Sequence, residues 1–246
     1  MTRISRRIAR DVLLRRLGVE RSYRPPALFR HPDWNFAPFL KLVVAYYLRT
    51  RPDFTFLQVG AFDGFAHDPI HPLVEAFGLR GLVVEPQGSV VDTLKASYAD
   101  HPQVRVVNAA VADANEMRDF YTTARGPSRQ ASFFRPHLLK HGIPADQIQT
   151  LQVRCATIAS LLQEHGLDRC DLLQIDAEGY DYQIVRTVDF SAVQPVIVRF
   201  EHAHMTDDEC DQCIQLLASH GFQFIAERRD IIALRELPWT PRPARV

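Results

Sequence analysis

The sequence predicts an α/β fold: a mostly parallel β-sheet covered by helices on both faces. Three observations predict it. From Asp53 onward, short apolar runs alternate with helical segments, which is the pattern of successive βαβ units. Runs such as FTFLQV, GLVVE, DLLQI and VIVRF are nearly continuously apolar, as strands buried on both faces are. The chain has 246 residues, 46% of them hydrophobic, enough to bury one large core.

The elements follow in order. Residues 1–22 place Ile4, Ile8 and Leu14 at roughly helical spacing among Arg3, Arg6, Arg7, Arg10, Arg15 and Arg16. That predicts a basic helix, which either meets a membrane surface or acidic protein partner, or packs on its own domain or a second copy in a homo-oligomer. The composition also fits an organellar transit peptide. YRPPALFRHPDW breaks this helix with proline, and FAPFLKLVVAYYLRT predicts a second one. The expected division is an N-terminal helical extension over 1–52, a domain over 53–236 and an extended, proline-rich tail over 237–246.

Within the domain, FTFLQVG predicts a strand, PIHPLVEAFG a helix closing at Gly78, LRGLVVEP a strand, SVVDTLKASYAD a helix and QVRVVNAAVAD a strand. EMRDFYTT adds a short strand, and residues 125–148 read as irregular. LQVRCAT is a strand and IASLLQEHG a helix. CDLLQIDAEG is a strand that turns into a helix over DYQIVRTV, and PVIVRFEH is a further strand. TDDECDQCIQLLASHG is a helix opened by a capping box from Thr206 to Glu209. FQFIAERRDIIALR closes the domain as a hairpin.

Several function classes are excluded by composition. Charge is balanced, 29 Lys+Arg against 29 Asp+Glu, so there is no electrostatic footprint for nucleic acid. No apolar run approaches the roughly 18 residues of a membrane span, and no secretory signal is visible. The cysteines, Cys155, Cys170, Cys210 and Cys213, are too few for a disulfide framework. A cytoplasmic location is the expectation. Cys210 and Cys213 share one face of a helix, where buried structural cysteines are the default, ahead of a zinc site with His202 and His204.

A parallel sheet binds ligands at the carboxyl ends of its strands. Gly60 and Gly64 follow the first strand and let backbone approach a ligand closely. Glu85, 21 residues past Gly64, is placed to accept hydrogen bonds from ribose hydroxyls. A nucleoside-containing cofactor follows. The spacing Gly60-x-x-x-Gly64 is not the G-x-G-x-x-G of a dinucleotide site. Asp63 inside it would repel a pyrophosphate and attract an ammonium, which favours S-adenosylmethionine over NAD. At the next strand ends, Asp176 and Glu178 precede Gly179, and Glu201, His202 and His204 follow VIVRF. These groups suit proton transfer, with His202 a candidate general base. Asp176 and Glu201 also leave room for a divalent metal ion between them. Helix capping is the plain alternative for Asp176 and Glu178.

In order and spacing, FLQVGAFDGFAHDPI, GLRGLVVEPQ, VVNAAVAD, LLQIDAEGYDYQIV, VRFEHAHM and RRDIIAL resemble the FkbM family of S-adenosylmethionine-dependent methyltransferases over about residues 54–234. The resemblance implies the class I methyltransferase (Rossmann-like) fold, seven strands with the last reversed. It also implies O-methylation of a sugar, glycan or polyketide-type hydroxyl. By the same resemblance Gly60, Ala61, Phe62, Asp63 and Gly64 line the methionine part of the cofactor. Glu85 and Pro86 hold the ribose, and Asn108, Ala109 and Ala110 border the adenine. Asp176, Glu178, Glu201 and His202 face the transferred methyl. Phe62 departs from the pattern, since similar sequences carry asparagine there. An NAD-dependent oxidoreductase and a non-catalytic binding protein of this fold are the competing readings. Arg125, Arg129, Arg135, His137 and His141 stand in the irregular segment as acceptor contacts or a solvated loop.

Overall fold

Residues 39–66, 68–227 and 229–237 are described by a computed structural model. The basic segment over 1–22, the proline-rich stretch after it and the tail from 238 lie outside these residues. In chain order the elements are α1 (Phe39–Leu48), β1 (Thr55–Val59), α2 (His71–Phe77), β2 (Arg80–Val84), α3 (Val91–Ser97), β3 (Val104–Val107), β4 (Ala110–Val111), β5 (Met117–Thr123), α4 (Arg135–Lys140), β6 (Ile148–Ala156), α5 (Ile158–Glu164), β7 (Leu172–Ile175), α6 (Asp181–Val185), α7 (Phe190–Val193), β8 (Ile197–Glu201), α8 (Asp207–Ser219), β9 (Gln223–Ala226) and β10 (Asp230–Leu234).

Seven strands share one sheet in the order β3-β2-β1-β7-β8-β10-β9. β10 runs antiparallel to both neighbours, β8 and β9, and the other strand pairs are parallel. The order reverses between β1 and β7, so the carboxyl ends there open a crevice. Register decides what stands in it. Val59 is level with Val84 and with Ile175, and Ile175 is level with Phe200. Gly60, Glu85, Asp176 and Glu201 therefore form one row across the sheet edge.

The two-residue period of the strands splits the core into two layers. Leu57, Val59, Leu173, Ile175 and Phe200 pack under Leu161 of α5, Ile184 of α6 and Leu217 of α8. Phe56, Leu172 and Ile197 face the other way, onto Val44 of α1, Leu73 of α2 and Leu94 of α3. α1 thus contributes to the same buried layer as the sheet. α2 ends on Gly78 in the left-handed conformation, and α8 begins with the Thr206–Glu209 capping box.

A second, three-stranded sheet in the order β4-β6-β5 was not anticipated from the sequence. β5 and β6 pair antiparallel from Met117–Arg154 to Thr123–Ile148. The run QVRVVNAAVAD, expected as one strand, is split into β3 and β4. Asn108 sits at the break, and its amide donates to the carbonyls of Glu85 (2.8 Å) and Pro86 (3.1 Å). The segment 125–148, expected as irregular, contains α4, opened by a proline. Among the described residues, no helix is long and apolar enough to cross a membrane.

Asp171 anchors the start of β7 although it is fully buried. Its carboxylate accepts from the Thr55 N–H (2.9 Å), from Arg51 (2.6 Å) and from Arg169 (3.1 Å). Removing one side of a buried ion pair costs far more than removing an exposed one. Asp171→Ala is expected to lose about 3–5 kcal/mol in urea unfolding. Glu236→Ala, which removes the half-exposed second partner of Arg51, is expected to lose at most about 1 kcal/mol.

Candidate active site

The row of strand ends forms the floor of a cavity of about 570 Å³. Gly60 begins its floor for a steric reason. Its φ is +76°, and a Cβ there would stand 1.9 Å from the Asp176 carbonyl oxygen. The β1 and β7 chains approach too closely at this point for any side chain. Gly64, in contrast, faces away from the cavity. A Cβ there would strike Leu94 at 2.6 Å and Tyr98 at 2.9 Å, so this glycine lets the loop close on α3.

Glu85 is buried, 3% exposed, and lines the cavity beside Pro86 and Gln87. One carboxylate oxygen accepts from the Phe62 N–H (2.9 Å). The other accepts from the Gln87 N–H (2.9 Å) and side-chain amide (3.1 Å). Burial raises its pKa, and these hydrogen bonds oppose the rise. Gln87, singled out by no sequence signal, continues the chain. Its carbonyl accepts from the Thr122 hydroxyl (2.8 Å) and the Ser128 N–H (2.9 Å). It thereby ties the first strand loops to the second sheet.

Of the other residues expected around a cofactor, Phe62, Ala109 and Ala110 line the cavity, while Ala61, Asp63, Gly64 and Asn108 do not. Asp63 is the main departure. One of its oxygens accepts from the Phe65 and Ala66 N–H groups, and the other pairs with Arg129 at 2.6 Å. Burial opposes its ionisation, but these hydrogen bonds and Arg129 prevail and lower its pKa. Asp63 is committed to shaping its own loop. Phe62 adopts φ +45°, a left-handed conformation that asparagine tolerates and phenylalanine resists. That explains why asparagine suits this position. Here the Phe62 ring instead carries the Arg129 guanidinium, 4.4 Å from its centroid.

The opposite wall is acidic. Asp176, Glu178 and Glu201 all line the cavity. Asp176 lies deep but keeps its side chain open to the cavity space. Desolvation, then Glu201 and Glu178, push its pKa up to about 7. Glu201 is pushed up by burial and drawn back by Arg229, whose Nε donates to it at 2.7 Å. Asp181, fully buried, accepts from the Ala177 N–H and the Glu201 N–H (both 3.2 Å). It locks the ends of β7 and β8 together, and burial raises its pKa strongly.

His202, expected as the general base, is outside this wall. Its backbone pairs with Arg229, and the cavity is lined by His204 and His141 instead. Among the described residues, no third His, Cys, Asp or Glu side chain joins Asp176 and Glu201 in a metal-capable group. Among the described residues, the group of metal-capable side chains that does converge is His137, His141, Glu178 and His204. Cys213 is buried in the core and Cys210 packs against it, away from that group. From the sequence, His137, His141 and Arg129 stood either as acceptor contacts or as a solvated loop. The fold of α4 against the turn after β7 brings His141 to the cavity and His137 onto Glu178, while Arg129 lines the cavity from the loop before α4.

A reversed strand, β10, inserted between β8 and β9 of a seven-stranded sheet, with a cavity over the carboxyl ends at the switch point, defines a class I methyltransferase domain. The model of the methyltransferase FkbM domain matches residues 58–224, more than half of the chain, and the chain belongs to that family. The competing reading as an NAD-dependent oxidoreductase falls with it. Among solved structures, the methyltransferase FkbM from Methylobacillus flagellatus KT aligns with TM-score 0.47 and 15% identity, covering 74% of this chain and 43% of its own. The chain thus spans less than half the length of that protein. An O-methyltransferase from Bacillus cereus in complex with SAH aligns with TM-score 0.46 and 11% identity over 85% of this chain and 86% of its own. The precorrin-6y C5,15-methyltransferase from Geobacter metallireducens GS-15 gives 0.42 and 13% over 83% and 92%. Comparison with curated proteins gave no match.

The steric role of Gly60 is testable against a neutral reference. Gly60→Ala adds left-handed strain and overpacking, and is expected to destabilise by about 2–5 kcal/mol. Gly166→Ala has a similar φ and open space around it, so about 1–2 kcal/mol is expected. Equal losses in thermal unfolding would refute the close approach.

Proposed function

We propose that the chain uses S-adenosylmethionine to methylate a hydroxyl oxygen of a sugar, glycan or polyketide-type metabolite. The observation that carries this reading is that Glu85 and Asp176 end the two strands on either side of β1 and line one cavity there. Membership of the methyltransferase family supports the cofactor.

The residues present fit that cofactor. The cavity volume lies within the range of small-molecule sites. Val84, Ala109, Ala110 and Phe120 give it an apolar side that suits a flat base. Glu85 accepts one hydrogen bond on one oxygen and two on the other, which leaves acceptor capacity for a ribose hydroxyl. Glu85, Asp176, Glu178, Glu201 and Asp230 line the cavity against Arg129, Arg199 and Arg229. The acidic excess favours a cationic ligand and disfavours a pyrophosphate. Bound S-adenosylmethionine supplies an electrophilic methyl group on a sulfonium sulfur.

The chain's own work is to position and to move a proton. Asp176 takes the proton of the acceptor hydroxyl at its carboxylate, a role suited to a carboxyl whose pKa approaches neutrality. Arg229 holds Glu201 toward the same wall and opposes the burial that raises its pKa. Most of the acceleration comes from holding the hydroxyl in line. The arginines and histidines of the segment 125–141 are the proposed contacts for the acceptor.

Calorimetry should show one-to-one binding of S-adenosylhomocysteine and none of NAD. Asp176→Asn should lower transfer of labelled methyl to a hydroxylated acceptor by about 10²–10⁴-fold and leave S-adenosylhomocysteine affinity unchanged. Full turnover in that variant would remove Asp176 from the reaction.

A further inference from the structure

Three imidazoles and a carboxylate converge at one edge of the cavity. His137 lies on α4 and His141 caps its C-terminus, one turn later, so the two share a face. Glu178 stands in the turn after β7 with φ +48°, its carbonyl held by the Ser132 hydroxyl at 2.9 Å. His204 comes from the loop after β8. The ring centroids of His137 and His141 are 4.5 Å apart, those of His137 and His204 are 4.7 Å apart, and those of His141 and His204 are 5.1 Å apart. One ligand atom from each of the four residues lies within 4.8 Å of all the others. His137 Nε2 is already 2.9 Å from Glu178 Oε2.

One buried atom points to a ligand at this cluster. The His204 side chain is 8% exposed, and its Nδ1 is buried with no hydrogen-bond partner among the described residues. An unpaired buried polar atom is costly.

We infer that His137, His141, Glu178 and His204 form a binding site for a zinc-class divalent transition-metal ion. Three nitrogens and one oxygen suit zinc or cobalt, and imidazole disfavours magnesium. Tetrahedral ligation at about 2.0–2.1 Å sets donors roughly 3.4 Å apart, so pairs as wide as 4.8 Å close by up to about 1.4 Å and the 2.9 Å His137–Glu178 pair opens slightly, through side-chain torsions. Arg229 Nη2 lies 3.1 Å from His204 Nε2. It keeps that contact and its pairing with Glu201, because the ion takes the unpaired Nδ1 of the same ring. This ion site is separate from a site between Asp176 and Glu201. His141, Glu178 and His204 border the cavity, so the ion faces the acceptor's space; that use rests on the methyl-transfer reading, whereas the binding does not.

The test is calorimetric titration of the full, chelator-stripped chain with Zn²⁺ alone, and absorption spectroscopy with Co²⁺. Saturable one-to-one binding is expected, with the visible bands of histidine-ligated Co²⁺ and a Zn²⁺-dependent rise in Tm. His141 is exposed, so His141→Ala leaves the core intact; it and Glu178→Gln should weaken binding at least about 10²-fold. Cys210→Ser should bind as the parent chain does. No uptake by the parent chain, unchanged binding in both ligand variants, or loss in Cys210→Ser would each overturn the assignment.

Discussion

The site depends on one buried carboxylate. Glu85 joins the loop after β1 to the loop after β2 by accepting the Phe62 and Gln87 N–H groups. Gln87 then passes the connection to Thr122 and Ser128. This chain of hydrogen bonds runs in a low-dielectric interior, where each member strengthens its neighbours. It fixes one side of the cavity before any ligand arrives. The other side is fixed by Asp181, which performs the same service for the ends of β7 and β8. Two buried acids thus shape the two walls, and the groups between them are free for chemistry.

The parallel sheet was legible because each strand carries its own apolar run, and because register places the residue after each run in a single row. Gly60, Glu85, Asp176 and Glu201 could be picked out on that ground. What the sequence hid came from contacts between distant segments. β5 and β6 were each legible as strands, but their antiparallel pairing into a second sheet was not, because it joins them across the segment 125–148, which reads as irregular. The choice between His202 and His204 turned on a strand end. The His202 backbone still pairs with Arg229 beside β10, so the chain reaches the cavity two residues later.

Asp63 shows how a sound local expectation is displaced. Beside a glycine turn, a free carboxylate would meet a ligand's ammonium. In the folded chain Arg129, 66 residues away, takes that carboxylate and stacks on Phe62. Only the packing of the second sheet against the β1 loop makes this pairing visible. Phe62 is then a substitution with its own compensation: a left-handed backbone held under a cation–π contact. The acidic preference of the site survives the loss of Asp63 because Asp176, Glu178 and Glu201 supply it from the opposite wall.

The most direct measurement is a crystal structure of the chain with S-adenosylhomocysteine. The account predicts the nucleoside in the cavity, ribose hydroxyls on Glu85, base against Ala109 and Ala110, and sulfur on the side of Asp176. Ligand bound elsewhere, or a Glu85 carboxylate left facing Phe62 and Gln87 alone while the ligand occupies another surface, would contradict it.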